Sequence, residues 1–120
     1  MQEFNFLIQN KTSTTAILKN LEPPLGGSPS EWEKELPTTI RMDDKGTGKL
    51  NVDAGYRQAG FMYEATEQRG TVQLRFGIIE GEERMPQAIS SDPKLVKAKV
   101  VVGNGRNGVW SYAVNWAHIE

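Results

Sequence analysis

The side chains best suited to recognising a ligand are three aromatic residues and one arginine, namely Trp32, Tyr56, Arg57 and Trp116. Tryptophan and tyrosine join a large apolar ring to one polar group, so they favour the boundary between water and an apolar layer. Arginine can pair with a phosphate through two parallel hydrogen bonds. Trp32 lies in a charged segment bounded by prolines, an unusual setting for a strand-core residue. The sequence therefore predicts a binding rim with Trp32 as its first candidate.

Each of these aromatic residues also has a packing interpretation. Trp32 could cap the end of a β-sandwich as well as lie exposed. Trp110, Tyr112 and Trp116 share one face of an alternating strand, and for such a stripe a place in the core is the stronger interpretation. Tyr56 lies beside Gly55, where packing is again the default.

Residues for catalysis or for a cofactor are scarce. A catalytic triad would have to use His118, the only histidine, three residues from the end of the sequence. Glu80, Glu82 and Glu83 surround Gly81 in an apparent turn, where clustered acids are usually solvated. The acidic residues between positions 43 and 53 lack the spacing of a calcium loop. We therefore predict a protein without catalytic residues, metal ion or cofactor.

Composition excludes several other classes of function. The chain has 120 residues, which predicts one domain over residues 1–120. Its formal charge of −1 argues against a nucleic-acid partner, and without cysteine there are no disulfides or thiolate metal sites. Lys94, Lys97, Lys99 and Arg106 could form a weak basic patch, although a solvated strand face is the stronger interpretation.

Alternation of apolar and polar residues dominates the sequence and predicts β-strands. The clearest strands run through residues 72–78 and 110–116, and residues 3–21 are predicted to form a hairpin. Lys45-Gly46-Thr47-Gly48 is predicted to be a turn, and further turns are predicted at residues 67–70 and 103–108. Short helical turns are predicted at residues 30–36 and 91–96. Together these patterns predict an all-β protein, an antiparallel β-sandwich of jelly-roll type with seven to nine strands and little helix.

The order of these signals resembles the aegerolysin-like family, especially its short bacterial members, some of which are insecticidal. The resemblance covers nearly the whole chain. It is carried by Phe6-x-Ile8-x-Asn10-Lys11-Thr12, Ile17-x-Lys19-x-Leu21, Gly27, Trp32, Pro37, Gly60-Phe61-Met62-Tyr63, Gly70-Thr71-Val72-x-Leu74-x-Phe76, Gly81 and Trp110-Ser111-Tyr112-Ala113-Val114. The chain departs from several fungal members in having no cysteine, and it has no tryptophan before Trp32.

The resemblance implies a non-enzymatic β-sandwich that binds membrane lipids, in some relatives sphingolipids. It also implies a larger perforin-like partner, with which several relatives form a two-component pore-forming toxin. The alternatives are a carbohydrate-binding lectin and a protein-interaction subunit on the same scaffold. Residues 1–5 lack the basic and apolar regions of a signal peptide, which predicts synthesis in the cytoplasm and action at a target membrane after release by another route.

Overall fold

A computed structural model describes residues 2–22, 31–52, 59–67, 70–78, 86–103 and 108–119. These residues form ten strands: β1 (Gln2–Lys11), β2 (Ala16–Glu22), β3 (Glu31–Lys34), β4 (Thr39–Ile40), β5 (Asp44–Val52), β6 (Ala59–Glu67), β7 (Gly70–Ile78), β8 (Pro86–Ser90), β9 (Val96–Val102) and β10 (Val109–His118). The predicted all-β sandwich is confirmed, with ten strands among the described residues in place of seven to nine. Among those residues no helix is long and apolar enough to cross a membrane.

The strands form two five-stranded sheets. Sheet A has the order β3-β5-β1-β10-β9, and sheet B has the order β4-β2-β6-β7-β8. Every pairing is antiparallel except that of β1 with β10, the two strands nearest the centre of sheet A, which run parallel. The alternation in the sequence fits this arrangement because each strand turns one face inward and one outward.

Inward-facing side chains from both sheets form one hydrophobic core. Its largest members are Phe4, Phe6, Ile8, Leu50, Tyr112, Val114 and Trp116 from sheet A, and Phe61, Tyr63, Leu74 and Phe76 from sheet B. The rings interlock edge-to-face and in stacks, and the centroids of Phe61 and Phe76 lie 4.9 Å apart. Aromatic pairs in such geometry add stability beyond the area they bury. Burial raises the pKa of Tyr63, and its hydroxyl donates to the carbonyl oxygen of Pro37 at 2.6 Å.

Trp116 belongs to this core. Its side chain is 0 % exposed, and its ring centroid lies 5.9 Å from that of Tyr63 and 6.1 Å from that of Phe61. The alternation of β10 explains this placement, because Ala113 and Asn115 take the outward positions beside it. The stronger of the two interpretations of the stripe Trp110, Tyr112 and Trp116 is therefore the one that the structure shows for Trp116.

The predicted hairpin of residues 3–21 is wrong, because β1 and β2 belong to different sheets. The chain crosses between the sheets at Asn10, whose side chain is 0 % exposed and fully bonded. Its amide nitrogen donates to the carbonyl oxygens of Ile40 at 2.7 Å and Thr14 at 2.9 Å. Its oxygen accepts from the backbone nitrogen of Thr12 at 3.0 Å and from the Thr12 hydroxyl. A polar side chain that satisfies backbone groups on both sides of a bend supports a corner between sheets as well as a tight turn.

The predicted turn Lys45-Gly46-Thr47-Gly48 is also wrong, since these residues lie inside β5. The two glycines make room for the segment that precedes β4. A Cβ on Gly46 would lie 2.5 Å from Cγ of Pro37, and one on Gly48 would lie 2.6 Å from Cδ2 of Leu36. Glycine within a strand often marks such a close approach of another segment. The spacing reported a packing contact and not a reversal of the chain.

The other predicted turns have mixed outcomes. Residue 67 pairs with residue 70, which confirms the β6–β7 hairpin, and β9 pairs with β10 across the glycine-rich loop. The predicted helical turn at 30–36 is wrong, because residues 31–34 form β3. At 91–96 the backbone nitrogens of Leu95 and Val96 donate to the carbonyl oxygen of Asp92, which makes an isolated turn and no helix before β9 begins.

Candidate functional site

The structure does not bring the sequence-predicted binding residues together. Trp32 lies on the edge strand β3, half-buried, with its ring centroid 5.7 Å from that of Phe6. It covers the margin of the core, so truncation of this ring would remove packing as well as any contact with a ligand. Trp116 is buried in the core, and a side chain without exposed surface cannot touch a ligand in this conformation. Tyr56 and Arg57 lie outside the described residues.

The outer face of sheet A carries a group of exposed cations instead. We call this surface the lysine face. It presents Lys34, Lys45, Lys49, Lys97 and Lys99, and its acidic residues among the described positions are Glu3 and Glu33. Lys11, at the end of β1, lies 3.9 Å from Asp43. Because the whole chain has a net charge of −1, the excess of lysines here is a local arrangement and not a property of the composition.

Strand register orders the lysine face into rows that run across the sheet. The middle row consists of Thr47, Leu7, Ala113 and Val101, on β5, β1, β10 and β9 respectively. Three of these side chains are aliphatic, so we call it the aliphatic row. Val101 is 59 % exposed, which is unusual for a large apolar residue without a function at the surface.

The aliphatic row forms the floor of an open groove. The groove has a volume of about 640 Å³, and its lining includes Leu7, Lys34, Val101 and Ala113. This volume lies within the range of small-molecule sites in proteins. A smaller hollow of about 220 Å³ shares Val101 and Ala113 with the groove and extends it towards Lys99. The two together form one concave tract along the face.

On one side of the aliphatic row, carboxylates neutralise the lysine. Lys49 Nζ lies 3.0 Å from Glu3 Oε1 and 2.6 Å from Glu33 Oε2. A hydrogen bond from Asn5 and the contact with Lys49 lower the pKa of Glu3. The hydrogen bond from Lys49, followed by one from Asn51, lowers the pKa of Glu33, and the two acids raise the pKa of Lys49. This carboxylate row therefore leaves no surplus positive charge for an anion.

On the other side, the face has cations and amides. This amide row consists of Lys45, Gln9, Asn115 and Lys99, which the register places side by side on β5, β1, β10 and β9. Among the described side chains, no carboxylate lies within ion-pair distance of either lysine of the row. The side-chain oxygen of Asn115 is buried and accepts no hydrogen bond from the described residues. Two lysines and two amides can together donate several hydrogen bonds to an anion.

A second polar cluster lies at the end of the sandwich where β1 crosses to β2. We call it the corner cluster: Asn10, Thr12, Ser13, Thr14 and Glu67. The Glu67 side chain is 0 % exposed, and it accepts hydrogen bonds from the backbone nitrogen of Ser13 at 2.9 Å and from the Ser13 hydroxyl.

The corner cluster has the residue types of a triad without its geometry. His118 Nε2 lies 3.9 Å from Glu67 Oε2, which is beyond hydrogen-bond distance. The Ser13 hydroxyl donates to Glu67 and not to the histidine, so no base faces a nucleophile. Among the described residues no group of histidines and acids could hold a metal ion. The cluster is therefore a structural joint between the sheets.

Sequence reasoning missed the groove because its residues come from strands far apart in the chain. The outward positions Asn5, Leu7 and Gln9 on β1 gave one signal, an apolar residue between two amides. The basic residues Lys97 and Lys99 gave another, and the basic patch that they suggested lies partly on this face. Lys94 is exposed before β9 begins, and Arg106 lies outside the described residues.

Comparison of the chain with protein-family models and with curated proteins found no match. The resemblance to the aegerolysin-like family therefore stays a prediction from the sequence, and the function is argued from the groove and the charges around it.

Proposed function

We propose that this protein is a non-enzymatic membrane lipid-binding protein that docks through the lysine face. The observation that carries the proposal is the juxtaposition of an aliphatic groove with lysines that no described acid neutralises. Such a surface matches a lipid layer, which offers anionic headgroups over apolar chains. Each lysine close to an anionic membrane strengthens binding by about 1 kcal/mol.

The lining of the groove favours a lipid over a sugar. Sugar-binding sites commonly stack a sugar ring on an exposed aromatic face. Among the described outward-facing positions of sheet A there is no aromatic side chain, and the floor consists of Leu7, Ala113 and Val101. Aliphatic side chains pack against hydrocarbon without preferred direction, so this floor suits an acyl chain.

The resemblance to the aegerolysin-like family adds a second element to the proposal. We propose that the protein is the membrane-recognising half of a two-component pore-forming toxin, with a larger perforin-like protein as the other half. In that case, purified protein binds vesicles without releasing a trapped dye, because the partner supplies the pore. Dye release by this protein alone would contradict the two-component scheme.

Co-sedimentation with vesicles tests the lipid proposal. The vesicles would be phosphatidylcholine alone, phosphatidylcholine with phosphatidylglycerol, and phosphatidylcholine with sphingomyelin. The test variant is Lys45→Gln with Lys99→Gln. The matched control is Lys19→Gln with Arg75→Gln, which removes two cations from sheet B.

We expect binding to the anionic vesicles that falls roughly 30-fold in the test variant, since two lysines contribute about 2 kcal/mol. The control should bind like the unmodified protein, and salt should weaken binding. Equal losses in both variants would remove the lysine face from the account. Absence of binding to all three vesicles, with a signal on a glycan array, would favour the lectin alternative.

A further inference from the structure

We infer that the groove of the lysine face holds one single-chain amphiphile with an anionic headgroup, its chain on the aliphatic row and its headgroup at the amide row. This inference rests on the proposed lipid binding and names the ligand of the same surface. The juxtaposition that carries it is the parallel course of the two rows, which lie next to each other across four strands.

The aliphatic row suits a hydrocarbon chain in size and in chemistry. Leu7, Ala113 and Val101 lie on three adjacent strands, which gives a floor about 10 Å across at the usual strand spacing of about 4.8 Å. The small side chain of Ala113 stands between the two larger ones and leaves a depression in the middle. The groove of about 640 Å³ is large enough for a single chain and is continuous with the smaller hollow beside Lys99.

Charge decides which end of the groove takes the headgroup. On the carboxylate row, Glu3 and Glu33 already surround Lys49, and both acids would repel an anion. On the amide row, Lys99 and Asn115 line the smaller hollow together with Gln9. No described carboxylate lies within ion-pair distance of Lys99, and the oxygen of Asn115 has no donor among the described residues. An anion at this row would therefore meet cations and amide donors.

Lys34 sets the opposite limit of the site. Its Nζ donates to the Thr47 hydroxyl at 2.5 Å, across the end of the aliphatic row on β5. This contact ties β3 to β5 at the wall of the groove. The chain of the ligand would therefore run along the row towards Lys34, with its headgroup beside Lys99.

The test uses water-soluble probes below their micelle concentrations, with isothermal titration calorimetry on the full chain. Dodecyl phosphate is the main probe. Inorganic phosphate reports the headgroup alone, and dodecyl maltoside reports the chain with an uncharged head. We expect one molecule of dodecyl phosphate per protein, bound at least tenfold more tightly than either of the other probes.

Chain length gives an independent measurement. Each methylene removed from water strengthens binding about fourfold, so decyl phosphate should bind about 15-fold more weakly than dodecyl phosphate. Equal affinities for the two would overturn a chain on the aliphatic row. Equal affinities for dodecyl phosphate and dodecyl maltoside would overturn the anionic headgroup.

Two matched variants locate the site. Ala113→Glu puts a negative charge in the middle of the floor, and Thr71→Glu puts the same charge at an exposed position of β7 in sheet B. We expect Ala113→Glu to lose at least tenfold in affinity for dodecyl phosphate and Thr71→Glu to lose none. Equal effects of the two variants would overturn the assignment to the groove. Vesicle binding without binding of dodecyl phosphate would overturn the inference and leave the proposed function standing, and loss of both would remove the proposed function as well.

Discussion

The corner cluster and the lysine face are both rich in polar residues, yet they differ in how far those residues are satisfied. In the corner cluster, Asn10 makes hydrogen bonds through both of its side-chain atoms, and Glu67 accepts two from Ser13. On the lysine face, the amide row has cations without acids and an acceptor without a donor among the described residues. Polar groups that are fully paired inside a fold hold it together, whereas unpaired ones at a concave surface are free to meet a ligand.

The first prediction concerns the closed region and has the largest expected effect. Asn10→Leu keeps the approximate volume but leaves the carbonyl oxygens of Ile40 and Thr14 without their donor. We expect the free energy of unfolding to fall by about 3–5 kcal/mol. Urea denaturation followed by tryptophan fluorescence measures it. Asn20→Leu, at an exposed position of β2, is the control and should change stability by less than about 0.5 kcal/mol. If both variants were equally stable, the corner would not join the sheets.

Glu67→Gln should have a smaller effect in the same region. The glutamine keeps one acceptor for Ser13 but replaces a carboxylate oxygen by a nitrogen donor. The expected loss is about 1–3 kcal/mol of unfolding free energy. A double-mutant cycle with Ser13→Ala should show coupling, because the two side chains are in direct contact. Additive losses would mean that Ser13 and Glu67 do not support each other.

Lys99→Gln tests the open region and should leave stability unchanged. Lys99 is exposed and makes no ion pair with the described acids, so its loss removes no contact that holds the fold. We expect the urea midpoint to stay the same while binding to phosphatidylglycerol vesicles falls severalfold, which the co-sedimentation assay measures. A clear loss of stability would show that the lysine face is structural and would end the contrast.

The acid limb of the stability curve should show the smallest effect. The folded-state pKa values of Glu3 and Glu33 lie below their ordinary values, so these carboxylates stabilise the fold above the ordinary glutamate pKa. That contribution is lost as the pH falls from about 4.3 through the lowered values. We expect the fall in thermal midpoint between pH 5 and pH 3 to be slightly shallower in Lys49→Met than in the unmodified protein. Identical slopes would show that the Lys49 contacts contribute nothing at this exposed site.

The sequence predicted the sandwich well because alternation reports directly which side chains turn inward. Residues 72–78 and 110–116 are strands as expected, and Trp116 lies in the core where the stronger interpretation placed the stripe. The hairpin of residues 3–21 failed because alternation does not say which strand is the neighbour. Gly46 and Gly48 were misleading because a glycine that admits Leu36 and Pro37 looks the same in sequence as one that permits a turn.

The candidate site was harder to predict than the fold. Each row of the lysine face takes one residue from each of four strands, and their register is set by pairings between distant parts of the chain. The search for aromatic residues pointed to Trp32, which lies at the margin of the same sheet but packs against Phe6. The groove itself is built from leucine, alanine and valine, which carry no signal of binding until the sheet is assembled.

The parallel pairing of β1 with β10 bears on how the protein folds during synthesis. Phe4 pairs with Trp110, so the loop that closes this ladder contains nearly all of the described chain. Contacts between such distant positions slow folding, because the chain loses loop entropy before they form. Sheet B can assemble earlier from β6, β7 and β8, which follow one another in sequence. Until β10 leaves the ribosome, β1 and the inner aromatic face of sheet B lack their cover, and a chaperone would find its binding surface there.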